Sequence, residues 1–406
     1  MEADQDSNSV VIVSQHFPPD KSGNASRVHD TARHLVDEGW AVTVLAPPPA
    51  FPHGQFDPTW KRKQSQVKDG VTVHRLWAWQ PLGEDPHFLS RMAYYVLFPL
   101  HVMLWTLFHY REFDVIITSS PPIFTGFAGL PFGLSGQKAW LVDVRDLWID
   151  ASVGLGFIED NGVGERLARR YERVVLQQAD QVTVTTTVLG ERLVDLYDLD
   201  SEKIVHLPNG VDTDRFEPSA SEPDPVIIYT GNVGHAQDLE SCVRAMAELE
   251  RDDVTLKIVG DGDIKSDLER LARETNLNGQ VEFTGLVPRD EIPEILDNAM
   301  IGLAPLKSTD TLEYAVPTKA YEYMACELPV VATGIGEINS LIEDSGGGLL
   351  VANDPEAIAD VFEQLLEEES TRSDLGSSGR EHMIENYDRG VVAERLSGVL
   401  EEVHAA

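Results

Sequence analysis

The stretch VPTKAYEYMACELPVVAT, residues 316–333, sets a helix directly against a strand. Pro317 suits the first helical turn, and Ala320, Tyr323 and Met324 recur at helical spacing. PVVAT then reads as a short buried strand, and a helix running straight into such a strand is the repeating unit of a parallel α/β sheet. One residue sits oddly in this helix. Lys319 falls in the first turn, where the partial positive charge of a helix N-terminus disfavours a cation by a few tenths of a kcal/mol unless an anion joins it. The amides of Thr318, Lys319 and Ala320, together with the ammonium, would suit a phosphate. Glu322, three residues on, shares that side of the helix and offers acceptors for sugar hydroxyls. Phosphate and hydroxyls together suggest a nucleotide. A surface lysine beside a solvated glutamate is the alternative on these residues alone.

The same alternation extends along the whole chain. The first half contains SVVIVS, AVTVLAP, VTVHRLW, DVIITSS, AWLVDV, QVTVTT and KIVHLPN, and the second contains PVIIYTG, TLKIVGDG, VEFTG, MIGLAPL, PVVAT and GGLLV. Amphipathic segments separate them, such as the one carrying Val28, Ala32, Leu35 and Val36 and the one carrying Ile264, Leu268, Leu271 and Ala272. At 406 residues the chain is too long for a single compact core. The expected fold is therefore α/β, with two Rossmann-like, doubly wound domains facing each other across a cleft. The polar segment DTDRFEPSASEPDP at 212–225 reads as the linker between an N-terminal domain, 1–211, and a C-terminal domain, 226–386. Residues 387–406 are expected to form a helix that crosses back to the N-terminal domain.

Composition narrows the function. With 32 basic and 68 acidic residues the net charge is −36, which argues against nucleic acid as a partner. An acidic, lysine-poor surface over a normal apolar content fits a protein of high-salt cytoplasm, where counterions screen the self-repulsion. Cys242 and Cys326 lie in apolar helical patterns and read as buried thiols without a disulfide. The acidic start, MEADQDSNS, does not resemble a secretory signal, so cytoplasmic residence is expected. The segment FLSRMAYYVLFPLHVMLWTLFHY, 88–110, is dense in aromatic and aliphatic residues but interrupted by Arg91, Pro99, His101 and His109. Its composition suits a helix lying in a membrane interface better than one spanning the bilayer, with a helix buried in the first domain as the other reading.

Four glycine-rich turns follow strands: PPDKSGNASR at 18–27, TGNVG at 230–234, GDGD at 260–263 and TGIGEINSL at 333–341. Each has the strand, turn and helix context that cradles phosphate. GDGD also has the form of an Asp-x-Asp metal site. A turn is preferred, because Gly260 and Gly262 supply backbone freedom and no third ligand is near in sequence.

Taken in order, NGVD (209–212), YTGNVG, IVGDGD, FTGLVPRDEIPEIL, APL, VPTKAYEYMACELPVVAT and GGGLLV resemble the successive motifs of retaining nucleotide-sugar glycosyltransferases of family 4. The segment HFPPDKSGNASRVHDTARHLVDEGWAVTVLAP is similar to that family's acceptor-side opening. SSPPIFTG with VDVRDLWID is similar to a subgroup building surface glycans on lipid carriers, including N-acetyl-fucosamine transferases. The resemblance implies the GT-B architecture and a nucleotide-sugar donor, uridine diphosphate sugars first, bound as substrate without a separate cofactor or metal. It implies a lipid-linked glycan acceptor, on dolichyl or polyprenyl phosphate, with peripheral contact at the inner membrane face.

Carried over by position, Glu322 matches the second glutamate of the family's Glu-x7-Glu signature, which binds the donor ribose. The first falls on Tyr314, with Glu313 one residue away as its substitute beside the transferred sugar. The usual arginine and lysine that hold the diphosphate fall on Asn232 and Gln237. Lys319 then becomes the replacement cation, with Thr318, Gly231, Asn232 and His235 near the donor and Gly336, Ile338 and Asn339 adding the amides of GIGEINS. On the acceptor side, Asp146 matches an acidic position that orients the acceptor or takes its proton; a helix cap or an ion pair with Arg145 is its other reading. Gly23 matches one of a pair of glycines whose partner here is Ser22, and Asn24 and Arg145 are placed beside it. His16, His29 and His34 read as packing or surface residues. Two other functions fit the same fold: a hydrolysing sugar-nucleotide epimerase, and a non-catalytic partner that only binds donor or lipid.

Overall fold

The computed structural model describes residues 8–83, 86–154, 156–219, 223–249, 251–277 and 279–405, with the Phe88 side chain excepted. The chain divides into two compact units, residues 1–208 with 392–406, and residues 209–391.

Among the described residues the first unit is built on eight strands: β1 (Ser9–Val13), β2 (Ala41–Ala46), β3 (Lys63–Lys68), β4 (Val71–Leu76), β5 (Val115–Ser120), β6 (Ala139–Val144), β7 (Gln181–Val184) and β8 (Ile204–His206). Their spatial order is β3-β4-β2-β1-β5-β6-β7-β8, parallel throughout except that β3 runs antiparallel to β4. In β1, Val10 lies opposite Val42 on one side and Val115 on the other. Helices α1 (Gly23–Asp37), α2 (Phe88–Phe108), α3 (Leu130–Ser135), α4 (Trp148–Gly154), α5 (Val163–Gln178) and α6 (Thr187–Tyr197) connect the strands. Covering both faces is what allows the continuous apolar runs: β5 is buried along its whole length. Trp140 on β6 is fully buried and donates Nε1–H to Thr118 Oγ1 at 2.9 Å. Gly129 makes room for it, since a Cβ there would lie 2.0 Å from the indole nitrogen. The outermost strand, β3, is exposed and carries Lys63 and Lys68, which keep its open edge from pairing with other chains.

Helix α2 takes up the aromatic segment at 88–110. Tyr94, Phe98, Val102 and Trp105 face inward at helical spacing and are buried. Leu89, Leu97, Leu104, Leu107 and Phe108 face outward, Phe108 with 83% exposure. One face of the helix thus belongs to the core, and the other is an uncovered apolar strip. Among the described residues no helix is long and apolar enough to cross a membrane.

Among the described residues the second unit has six parallel strands, β9 (Val226–Thr230), β10 (Thr255–Val259), β11 (Val281–Gly285), β12 (Ile301–Pro305), β13 (Val330–Thr333) and β14 (Gly348–Leu350), in the order β11-β10-β9-β12-β13-β14. Its helices are α7 (Leu239–Glu248), α8 (Lys265–Glu274), α9 (Ile292–Leu296), α10 (Thr318–Ala325), α11 (Glu337–Ser345), α12 (Pro355–Glu367) and α13 (Glu369–Asn386). Alternate residues serve opposite faces: Ile227 and Tyr229 join one buried cluster and Ile228 the other. Cys242 and Cys326 are free and buried in these clusters.

One boundary differs from the sequence reading. The described residues of the segment read as a linker, 212–219 and 223–225, lie within the second unit. Phe216 is buried in its core, Arg380 donates to the Phe216 carbonyl at 3.1 Å, and Thr213 Oγ1 donates to Asp388 at 2.7 Å. The proline-rich polar composition hid one anchoring aromatic. The C-terminal helix α14 (Arg389–Ala405) changes units along its length, and residues from Val392 onward group with the first unit. There Leu396 and Leu400 enter the core and Ser397 Oγ accepts from Trp40 Nε1 at 2.9 Å.

Candidate functional site

In the second unit the glycine turns sit at the C-terminal ends of β9, β10 and β13, the edge where open α/β sheets bind ligands. Gly231, after β9, has φ +121°, and Gly260, after β10, has φ +149°. The two turns touch: a Cβ on Gly260 would lie 1.8 Å from the Gly231 carbonyl oxygen, and one on Gly262 would lie 2.3 Å from that of Val233. GDGD is thus a close-packed backbone turn. Among the described residues no three His, Cys, Asp or Glu side chains gather as a metal-binding group.

Helix α10 begins at Thr318 with Pro317 as its N-cap. The Ala320 amide is not free, because it closes a turn on the Pro317 carbonyl at 2.9 Å. Lys319 is only 8% exposed. Its ammonium lies 3.9 Å from the centre of the Tyr229 ring, and a Cβ on Gly231 would lie 3.5 Å from Nζ. Among the described residues it makes no hydrogen bond or ion pair. Burial pushes its pKa down to about 7, against a smaller opposing pull from Glu322. A cation held over an aromatic face beside a glycine turn, lacking an acceptor, is a prepared anion site.

Glu322 stands beside it and meets a residue that the sequence did not single out. Arg289 Nη2 lies 3.4 Å from Glu322 Oε1, and Arg215 donates to the Arg289 carbonyl at 2.7 Å. Burial raises the Glu322 pKa, with Arg289, Lys319 and Arg215 acting in the opposite direction. Arg289 lies 33 positions away in sequence, so no local pattern could pair it with Glu322. Tyr323, on the same helix, accepts from the Thr230 amide at 2.8 Å and so ties α10 to the end of β9.

Glu313 lies against the start of α11. Its carbonyl accepts from the Glu337 amide at 2.8 Å, and a Cβ on Gly336 would lie 2.2 Å from that oxygen. Three amides of GIGEINS expected for a ligand are therefore already engaged, since those of Asn339 and Ser340 also donate to the Gly336 carbonyl, at 2.9 and 3.4 Å. Ile338 is buried, and Asn339 keeps a buried Oδ1 with no hydrogen-bond partner among the described residues. Thr318, Asn232 and His235 are exposed. The Tyr229 hydroxyl holds the Asn232 carbonyl.

In the first unit Ser22 caps α1, its Oγ accepting from the Ala25 amide at 3.2 Å; among the described residues nothing lies within 4 Å of a Cβ on Gly23, and the buried Asn24 Oδ1 has no hydrogen-bond partner. Arg145 donates Nε–H to Asp143 at 2.9 Å, and Arg27 approaches the same carboxylate at 3.3 Å. Thr183 donates to it at 3.1 Å. Burial alone would raise the Asp143 pKa, but Arg27, Arg145 and these hydrogen bonds hold it below the ordinary carboxylate range. Asp143 and Arg27 were not singled out in the sequence, where Asp143 looks like one more residue of a buried strand. Asp146 lies in the turn before α4, its carbonyl accepting from the Trp148 amide at 2.9 Å.

The profile of the 4-like glycosyl transferase domain matches residues 22–210, and that of the group 1 glycosyl transferases matches residues 210–382. The chain belongs to the GT-B glycosyltransferases. An Escherichia coli K12 protein assigned to colanic acid biosynthesis as a glycosyl transferase, WcaI, is 24% identical over 86% of this glycosyltransferase and 89% of its own length. A Mycolicibacterium smegmatis protein, named as a GDP-mannose-dependent phosphatidylinositol monomannoside mannosyltransferase, is 29% identical over 57% of this chain and 66% of its own. Sucrose-phosphate synthase of Thermosynechococcus elongatus shares the fold, with a TM-score of 0.74, 21% identity, and coverage of 98% and 99% of the two chains. So does Anabaena HepE, solved with UDP, at a TM-score of 0.69 and 14% identity over 97% of this chain and 100% of that one.

Proposed function

We propose that this glycosyltransferase takes a sugar from a nucleoside diphosphate donor held in the second unit and transfers it, with retention at the anomeric carbon, to a lipid-linked glycan acceptor bound by the first. The observation that carries this reading is the buried, acceptor-free ammonium of Lys319 beside Gly231. Lys319 neutralises the diphosphate as charge builds on it during departure, a role that needs no metal. Glu322, steadied by Arg289, takes the ribose hydroxyls, and Glu313 stands by the transferred sugar. Asp146 orients the acceptor. HepE has been solved with UDP and with UDP-glucose, which supports a uridine diphosphate sugar as donor here. The lipid acceptor and peripheral contact at the cytoplasmic membrane face rest on the outward strip of α2. Among the described residues the large exposed apolar side chains belong to the first unit, apart from Leu286 and Ile384. Adaptation to concentrated salt rests on the charge, which is concentrated in the second unit with 13 basic against 39 acidic residues.

The test is to incubate the purified chain in high salt with radiolabelled nucleotide sugars and a membrane extract, with and without a chelator. Label passing into lipid, unaffected by the chelator, is the expected outcome. An isomerised donor, or a donor bound but never turned over, would overturn it.

Donor binding should also depend on pH in a defined direction. In the free protein Lys319 is charged below about pH 7 and neutral above it. A bound diphosphate favours the charged form, so affinity is full below about pH 7 and falls as pH rises, by up to about tenfold per unit. The stability of the ligand-free protein runs the other way. An unfolded lysine titrates near its ordinary 10.5, so between about 7 and 10 the unfolded chain holds the extra proton and the fold gains stability as pH rises. Calorimetric titration of a nucleotide sugar from about pH 6.5 to 9 would show the falling affinity, and a flat profile would remove Lys319 from the diphosphate.

A further inference from the structure

Helix α5 of the first unit carries Arg166, Arg169, Arg170 and Arg173 within eight residues of a chain whose net charge is −36. Their separations of three, four and seven set them along one side of the helix, where like charges repel one another. With Val174, Leu196 and Tyr197 they line a groove of about 580 Å³, and no carboxylate is among the lining residues. Arg169 is committed to Glu165 at 2.6 Å and Asp150 at 3.1 Å, and Arg173 donates to the Leu196 carbonyl at 3.0 Å. Arg166 and Arg170 are exposed, and among the described residues their guanidinium groups make no hydrogen bond or ion pair. The carboxyl that the Tyr197 hydroxyl contacts, Glu172, offers little compensation, because burial pushes it up to about 7.

Two features define what would fill the groove. Unpaired, planar guanidinium forks grip the oxygens of a phosphate in pairs, which a flat face of solvated charges has no need to do. The surroundings are apolar: Val163 and Leu167 extend along the same helix with 73% and 63% exposure, and Leu196 is 40% exposed. We infer that this groove binds the phosphate group of an acidic amphiphile, with Arg166 and Arg170 on the phosphate oxygens and the neighbouring Val and Leu side chains against hydrocarbon. The inference rests on the lipid-acceptor reading above for the class of its ligand, and because the site uses none of the groups around Lys319 it fails separately from the donor reading.

The experiment compares the full chain with the double variant R166Q/R170Q, at the lowest salt that keeps both folded and with matched melting temperatures. The probes are farnesyl phosphate below its micelle concentration, inorganic phosphate, and phosphatidylglycerol vesicles set against phosphatidylcholine vesicles. Saturable binding of farnesyl phosphate, at least about tenfold tighter than inorganic phosphate and weakened about tenfold or more in the variant, supports the site with a dispersed lipid phosphate as ligand. Flotation with phosphatidylglycerol vesicles alone, lost in the variant, supports it with a bilayer headgroup as ligand. Nucleotide-sugar binding should be equal in both proteins. No binding in either arm, binding that the variant retains, or equal affinity for farnesyl phosphate and inorganic phosphate overturns the proposal. R166K/R170K keeps the charge and loses the fork, so undiminished binding by that variant overturns the guanidinium assignment.

Discussion

Lys319→Ala is expected to lower sugar transfer by about 100-fold or more, the usual loss when one preorganised charge-stabilising contact is removed. The argument rests on where the ammonium sits. It is buried over Tyr229, faces Gly231 and lacks an acceptor among the described residues, so alanine forfeits only the cation–ring contact, the pull of Glu322 and the packing of the stem. Burial holds its pKa near 7, which means the free protein bears a desolvation cost for keeping it charged. Melting temperature should therefore stay at or slightly above that of the parent while turnover collapses. Lys319→Arg should not rescue, because the longer guanidinium would have to displace the Gly231 turn. Turnover of the alanine variant within a few-fold of the parent would falsify the diphosphate assignment.

Gly260→Ala carries the largest expected effect on the fold. Its φ of +149° is a conformation that L side chains rarely adopt, and its Cβ would meet the Gly231 carbonyl oxygen at 1.8 Å. Both atoms belong to backbone at the ends of paired strands, so neither can swing away as a flexible side chain would. A cost of about 3–5 kcal/mol is expected, equivalent to a fall on the order of 10 °C in the melting of the second unit. Nucleotide-sugar affinity should fall in parallel, since Gly231 is the turn that faces Lys319. Gly398→Ala is the control: it lies in α14 with nothing within 4 Å of an added Cβ, and it should be neutral or mildly stabilising. Equal melting of the two variants would show that the β9 and β10 turns are not locked together.

What could be read without the structure was whatever is encoded over a few neighbouring residues. Strand runs such as SVVIV and VIIYT, and the glycines that end them, announce themselves because backbone preference and burial period are local properties. Lys319 and Glu322 were found the same way, one helical turn apart. Arg289, Arg27 and Asp143 were missed because each acquires its role from a partner far along the chain: Arg289 from Glu322, and Arg27 from an aspartate 116 positions on. Phe216 was missed for a related reason, since a single aromatic in a polar, proline-bearing stretch gives no periodicity to detect.

Local pattern was enough to establish α/β units with glycine turns closing several of their strands, and a helix that starts with a lysine in an electrostatically costly place. Only the tertiary structure decided what that lysine is: a nearly dry ammonium on a tyrosine ring, poised near neutrality, with Glu322 braced by Arg289 beside it. It also decided that Phe216 anchors the segment before β9 in the core of the second unit. The physical reason is the same in each case. Periodicity fixes how a segment folds, while burial, desolvation and charge pairing are set by which distant segments the strand order brings alongside it.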